Sequence, residues 1–282
     1  MSSILGRFLN YLLVPLHTDL FIKSQYGVIT EMYSYVSFLF VLLMYGMETA
    51  YFRYSSKEGA DKESVYTTAM YSLIATSVMF VGTVSWFSPS IATFLKYPSN
   101  PEYVVWFAFI LGLDALTAIP MARLRSENKA KRFAIVNIAG IAINILLNLF
   151  FLGYCMAKYN NGETNAIIDM VYNPSIGVGY VFIANLVASV AKFLMLTPDM
   201  LKARYRFNPA LLKSMLVYAF PLLIFGFAGI INETLDRVMF KWMLYDKIGG
   251  EATMSQLGIY GACYKLSIII KKLKIRSVKI CL

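Results

Sequence analysis

The sequence predicts an all-α, polytopic helical membrane protein with one complete six-helix lobe and the first one to two helices of a second. Three observations predict it. Apolar runs long enough to cross a bilayer recur along all 282 residues, of which 58% are hydrophobic and only 15% charged, with a mean hydropathy of +0.59. A soluble chain carries nearer to a quarter charged residues. Lysine and arginine gather in alternate short connections between those runs. Finally, the stretch SQYGVITEMY (24–33) returns as SQLGIYGACY (255–264): at an offset of 231, Ser, Gln, Gly, a β-branched residue and Tyr fall in step at five of ten positions. A repeat of that range implies two similar halves, the second beginning near residue 205.

Span 1 covers about Ser3 to Leu20, with Arg7 and Asn10 near one end and Pro15 bending the helix. Span 2, about Tyr26 to Phe52, is rich in aromatics and closed by Glu48, Arg53 and Tyr54. After the polar connection RYSSKEGADKES, Span 3 covers about Val65 to Phe87 and ends at Trp86, a residue suited to a membrane interface. The segment PSIATFLKYPSNP is too short and too proline-rich to cross, and reads as an interfacial loop or short helix. Span 4 is about Tyr103 to Arg123, with Asp114 near its middle and Pro120 late.

The most basic connection, RLRSENKAKR, leads to Span 5, about Phe133 to Ala157. There Asn137, Asn144 and Asn148 share one helical face by their spacing of seven and four. Span 6 occupies about Ser175 to Leu196, and the linker TPDMLKARYRFNP marks the lobe boundary. Span 7 starts near Leu211, holds Pro221 and Gly226, and ends in INETLDRVMFKW; Span 8 runs from about Ser255 to Ile270. The domains are therefore a six-span lobe over 1–200, the start of a second lobe over 201–270, and a basic tail over 271–282.

Basic residues set the orientation. The 2–3, 4–5 and 6–7 connections hold three, five and four Lys or Arg, whereas the opposite connections hold one, one, one and two, the last including Lys241. Twelve against five places the N-terminus in the cytoplasm, and six spans bring the second half into the membrane with the orientation of the first. Span 8 as read, Ser255 to Ile270, amounts to only about 24 Å of helix at roughly 1.5 Å per residue, against a hydrocarbon core of about 30 Å. KKLKIRSVKICL follows without resuming an apolar pattern, so the expectation is a truncated or frame-shifted chain; a short protein with a basic cytoplasmic tail is the alternative.

The formal net charge of +10 comes from cations in short loops between spans, which membrane topology explains without a nucleic acid partner. No cleavable signal peptide is expected, because Arg7 and Asn10 interrupt the first apolar run. Cys155, Cys263 and Cys281 are widely spaced and fit neither a metal pattern nor a disulfide framework. Neither a nucleophile elbow nor a phosphate-binding loop stands in the sequence, so no enzyme activity, cofactor or metal is expected.

The candidate residues are the ionisable and amide groups inside apolar runs, where a charge costs about 2.5 to 3.5 kcal/mol on insertion scales. Arg7 suits bidentate binding of a phosphate, or else snorkels to the headgroups. Asp114 either titrates in ion coupling or pairs with a cation on a neighbouring helix, Arg7 among the choices. Glu233, Asp236 and Arg237 lie at the outer end of Span 7, with Glu233 and Arg237 spaced for an i,i+4 pair. They are either an interfacial ion pair or a polar lining of a path. Asn137, Asn144 and Asn148 face the bundle interior, where interhelical hydrogen bonds and sugar contacts both suit them. His17 reads as an interfacial residue rather than a proton carrier.

Taken together, GRFLNYLLVPLHTDLF (6–21), QYGVITEMYSYVSFLFVLLMYGMETAYFRY (25–54), LRSENKAKRFAIVNI (124–138), FPLLIFGFAGIINETLDRVMFKWML (220–244) and LGIYGACYKL (257–266) resemble the polysaccharide flippase branch of the multidrug/oligosaccharidyl-lipid/polysaccharide exporter superfamily, in particular its lipopolysaccharide and capsule biosynthesis proteins. The likeness covers residues 4 to 268. It implies two six-helix lobes around a central cavity and alternating access that moves an undecaprenyl-pyrophosphate-linked oligosaccharide between the leaflets of a bacterial inner membrane. It also implies cationic cavity residues for the pyrophosphate, fitting Arg7 and more weakly Arg53, and leaves room for polysaccharide polymerase or ligase machinery as partner. A family member continues through a complete second lobe, and this chain stops within its second span. The alternatives are a cation-coupled multidrug exporter of the same superfamily and a non-transporting membrane remnant. Span 1 weighs against drug export, since it offers an arginine inside and only Asp19 at its outer edge.

Overall fold

Eleven α-helices in chain order make up the computed structural model, which describes residues 13–163, 165–201, 203 and 206–280, with side chains as far as 267 except that of residue 167. They are α1 (Leu13–Leu20), α2 (Lys23–Met44), α3 (Met47–Ser55), α4 (Lys62–Trp86), α5 (Ser88–Phe94), α6 (Pro101–Ser126), α7 (Ala130–Asn148), α8 (Ala166–Val171), α9 (Gly179–Leu201), α10 (Pro209–Ile248) and α11 (Gly250–Ile280). Helix α7 continues through a π-helical stretch, Leu149–Met156, into Ala157–Asn160. Among the described residues six segments are long and apolar enough to cross a membrane: Lys23–Ser55, Lys62–Trp86, Pro101–Ser126, Ala130–Asn160, Gly179–Leu201 and Pro209–Ile248.

The helix starts follow local chemistry. Asp61 caps α4 by accepting from the Ser64 N–H at 3.2 Å, and Asn208 caps α10 by accepting from Leu211 N–H at 3.1 Å. Pro at the first turn of α6 and α10 costs nothing, because that N–H has no helical partner anyway. Span 2 is broken where the sequence shows a continuous apolar run: Tyr45 and Gly46 take φ of 32° and 74° between α2 and α3. A Cβ on Gly46 would stand 2.8 Å from the Ala219 carbonyl oxygen, so the glycine serves both the left-handed turn and the close passage of α10.

Among the described residues two larger cores and a smaller one, where Leu124, Val136 and Leu196 join α6, α7 and α9, organise the bundle. Tyr33 of α2, Phe107 of α6 and Phe182 of α9 meet as edge and tilted ring pairs, with Tyr103 against Phe182 at 5.1 Å. Met47, Ala50, Leu73, Ala115, Met215 and Ala219 join α3, α4, α6 and α10, the small residues letting backbones approach. Helix α10 lies along α2, α3 and α4, and α11 packs along α2.

The three connections expected on one side do meet. Arg123 bridges Glu63 and Glu127, Arg125 reaches Glu48, Arg132 lies 3.4 Å from Asp199, and Arg206 bonds Asp61 at 2.9 Å. At the other end Lys96 pairs with Asp246 at 2.8 Å. The segment after Span 3 is the short helix α5, as one of its two readings had it.

Helix α11 extends over 31 residues, past both ends of the apolar run read as Span 8, because lysine and arginine are good helix formers and a change to basic composition does not end a helix. One expectation needs correction. Lys241 is not part of an outer connection: α10 runs on to Ile248 and buries that side chain to within 2% exposure. Arg7, Asn10 and Cys281 lie outside the described residues.

Candidate functional site

The two copies of the repeated stretch pack on each other. Gly258 of α11 sits against Gly27 of α2, where a Cβ on Gly258 would be 3.0 Å from the Gly27 amide nitrogen. A Cβ on Gly27 would overlap the Met254 carbonyl, and one on Gly258 would overlap the Lys23 carbonyl. A Cβ on Gly261 would likewise crowd Thr30, 3.0 Å from its Cβ. Each contact maps onto its partner, or onto itself, under the offset of 231. The crossing is an isologous contact within one chain, the geometry of an approximate two-fold axis.

One turn further along α2, Glu31 is fully buried and meets Lys241 of α10. Lys241 Nζ lies 2.9 Å from Oε1 and donates to Oε2 at 3.0 Å, and donates also to the Leu95 carbonyl at 2.6 Å. The ammonium stands 4.0 Å over the Tyr97 ring, whose hydroxyl donates to Glu31. Tyr97 belongs to the connection between α5 and α6. Burial, and then the Glu31 carboxylate beside it, hold its hydroxyl well above the usual tyrosine range, so it stays a donor. Three segments thus converge on one buried pair, and deleting either partner of such a pair costs about 3 to 5 kcal/mol by stranding the other charge.

Two cavities lie along α2 and α10 near this level. One of about 210 Å³ is lined by Ser24, Gln25, Lys96, Lys241, Tyr245 and Glu251 among others. The second, of about 230 Å³, lies between α2, α10 and α11, with Tyr33, Ser37, Glu233, Arg237, Tyr264 and Lys265 in its wall. Lys265 donates to the Tyr26 hydroxyl at 3.1 Å, and the Arg237 guanidinium lies 3.9 Å over the Tyr264 ring. Arg237 Nη2 is buried and has no hydrogen-bond partner among the described residues.

Of the residues singled out from sequence, Glu233 and Arg237 line this second cavity. Their expected i,i+4 ion pair is not formed among the described residues, because α11 approaches here and offers Arg237 an aromatic face. Asp236 accepts from the Tyr260 hydroxyl of α11. Asp114 lies elsewhere, between α6 and α9, where it accepts from Ser189 at 2.9 Å and faces Lys192 at 3.6 Å. Arg53 stacks over Tyr218 at 4.0 Å, near the opposite end of the bundle from the Glu31 pair.

Asn148 donates to the Asn144 carbonyl and side-chain oxygens at 2.8 and 3.0 Å, and His17 Nε2 meets its Oδ1 at 2.9 Å. Asn148 Nδ2 donates to Asn144, so its Oδ1 accepts and the His17 ring donates. His17 is buried, because α1 packs on the π-helical continuation of α7. Neither Glu31 nor Lys241 stood among the candidate residues of the sequence; the signal was a carboxylate inside the repeated stretch and a lysine two turns short of the end of a helix.

The sequence matches the family described as polysaccharide biosynthesis protein over residues 19–161, just over half of the chain. The chain belongs to that family. No curated protein and no solved structure matches it. Membership of the polysaccharide biosynthesis proteins agrees with the likeness to the polysaccharide branch of the exporter superfamily, and the six apolar helices make this member a multi-pass membrane protein. The matched region holds Glu31, Arg53, Asp114, Asn144 and Asn148, and ends before α9.

Proposed function

We propose that the protein takes part in flipping an undecaprenyl-pyrophosphate-linked oligosaccharide across a bacterial inner membrane for lipopolysaccharide, O-antigen or capsule synthesis. The observation that carries this reading is the buried Arg237 Nη2, which has no hydrogen-bond partner among the described residues, set with Lys265 in a cavity between α2 and the two helices that follow the linker. A guanidinium nitrogen with an unused donor is suited to a diphosphate oxygen, which it takes by a charge-assisted hydrogen bond. Ser37 and Tyr264 supply hydroxyls and a ring face of the kind a sugar uses. The amphiphile's head would be sheltered there while its polyprenyl tail stays in lipid.

In this reading residues 1–200 are the first lobe and 201–270 begin the second, the N-terminus is cytoplasmic, and the Lys23 end of α2 faces outward. Arg7, at the start of the first span, is a further candidate for the pyrophosphate, and a polymerase or ligase is a plausible receiver of the product. The test is a leaflet-access assay in vesicles containing the protein and a polyprenyl-pyrophosphate-linked glycan. Arg237→Ala and Lys265→Ala should each slow transfer by on the order of ten-fold, the loss of one charge-assisted contact, at unchanged protein level. Transfer at the parental rate in both variants would remove this cavity from the function.

A further inference from the structure

We propose that Glu31 and Lys241 form a latch that keeps the cavity lined by Arg237 and Lys265 shut off from the Lys23 end of the bundle. The proposal rests on the transport reading for its purpose, and on geometry for its existence. The pair lies at the level where one lining gives way to the other: along α2, Val28 lines the first cavity and Ile29 and Thr30 the second, and along α10, Tyr245 and Lys241 line the first and Arg237 and Glu233 the second. It ties α2 to α10 and to the turn at Leu95 and Tyr97. It lies beside the glycine crossing of α2 and α11, so both helices after the linker are fastened to α2 at the same level.

A buried ion pair is suited to a two-state closure. Closed, each charge is the other's chief compensation, apart from the Leu95 carbonyl and the Tyr97 hydroxyl. Open, both regain water. A variant lacking one partner buries a bare charge only in the closed state and so shifts the population toward the open one. Removing both charges together strands no charge and restores closure. A pair that merely staples the fold would lower stability without altering which side the cavity opens to.

The experiment uses the full chain in membranes, with Cys155, Cys263 and Cys281 replaced by serine and a single Ser37→Cys reporter in the cavity wall. A membrane-impermeant maleimide is added on the side that labels a Ser24→Cys control. Labelling of Ser37→Cys should be slow with the native pair and rise on the order of ten-fold in Glu31→Gln and in Lys241→Met. The double variant Glu31→Gln, Lys241→Met should return most of the way to the native rate, a non-additivity that independent effects do not give.

Native-rate labelling in both single variants, or a double variant as fast as the singles, would overturn the latch. If the single variants fail to accumulate, Tyr97→Phe provides the same readout: a rise of about two- to three-fold supports the latch, since only one neutral donor to Glu31 is lost, and no rise overturns it. Labelling does not depend on transport. Labelling that responds as described in a protein that flips no glycan leaves the latch standing and removes the transport reading.

Discussion

Gly27 and Gly258 stand at equivalent places in a repeat 231 residues apart, and they touch. A side chain at either would meet backbone, which cannot swing aside as a flexible side chain does. Gly27→Ala and Gly258→Ala should therefore each lower the melting temperature in detergent, by the equivalent of about 1 to 3 kcal/mol of overpacking. The two losses should be similar, since each substitution presses on the other helix's carbonyl in the same way. Gly82, which has open space where a Cβ would go, is the control: Gly82→Ala should leave the melting temperature unchanged or raise it.

Asp114 holds α9 to α6. Asp114→Ala strips Ser189 and Lys192 of their partner and should reduce the amount of protein that survives detergent extraction. Asp114→Asn keeps an acceptor for Ser189 and should recover most of it. Glycan transfer per molecule, measured in the leaflet-access assay, should be unchanged in the asparagine variant, because the residue lies outside both cavities beside the Glu31 pair.

His17→Leu leaves the Asn148 side-chain oxygen buried without its donor, at a cost of about 1 to 3 kcal/mol. Adding Asn148→Leu should recover part of that loss, because an apolar pair has nothing left unsatisfied. Thermal unfolding of the two single variants and the double variant gives the coupling directly.

Asp61 gives the fold a pH dependence with a definite sign. The hydrogen bond from Arg206 and then that from the Ser64 N–H hold its carboxyl below the ordinary aspartate value. A lowered folded value means the stabilisation is present above the unfolded pKa, near 4, and is lost as pH falls through the folded one. Asp61→Asn should melt slightly lower than the parent at pH 7, and the difference should vanish well below pH 4. A difference that persists at pH 3 would show that the cap, not the charge, is responsible.

Much of the architecture was legible because the bilayer imposes it. Apolar runs of twenty residues become helices whatever their details, so the spans from α2 to α10 fall where the sequence puts them to within a few residues, apart from the end of α10. The repeat was legible too, and its glycines turned out to touch. What could not be read was pairing across distance. Glu31 and Lys241 are 210 residues apart, and no local pattern couples a carboxylate in one helix to a lysine in another. Glu233 and Arg237 show the converse: helical spacing places them within reach of each other, but a neighbouring helix offered Arg237 the Tyr264 ring, and both residues line a cavity instead.

That separation also has a meaning for biogenesis. At about 5 to 20 residues per second, a ribosome takes roughly 10 to 40 s to make the chain between Glu31 and Lys241. Throughout that interval α2 is already made, and its carboxylate has yet to meet its ammonium. The early helices therefore assemble around a charge whose counterpart has not been translated, and the membrane-insertion machinery or the lipid interface has to shelter it until α10 arrives.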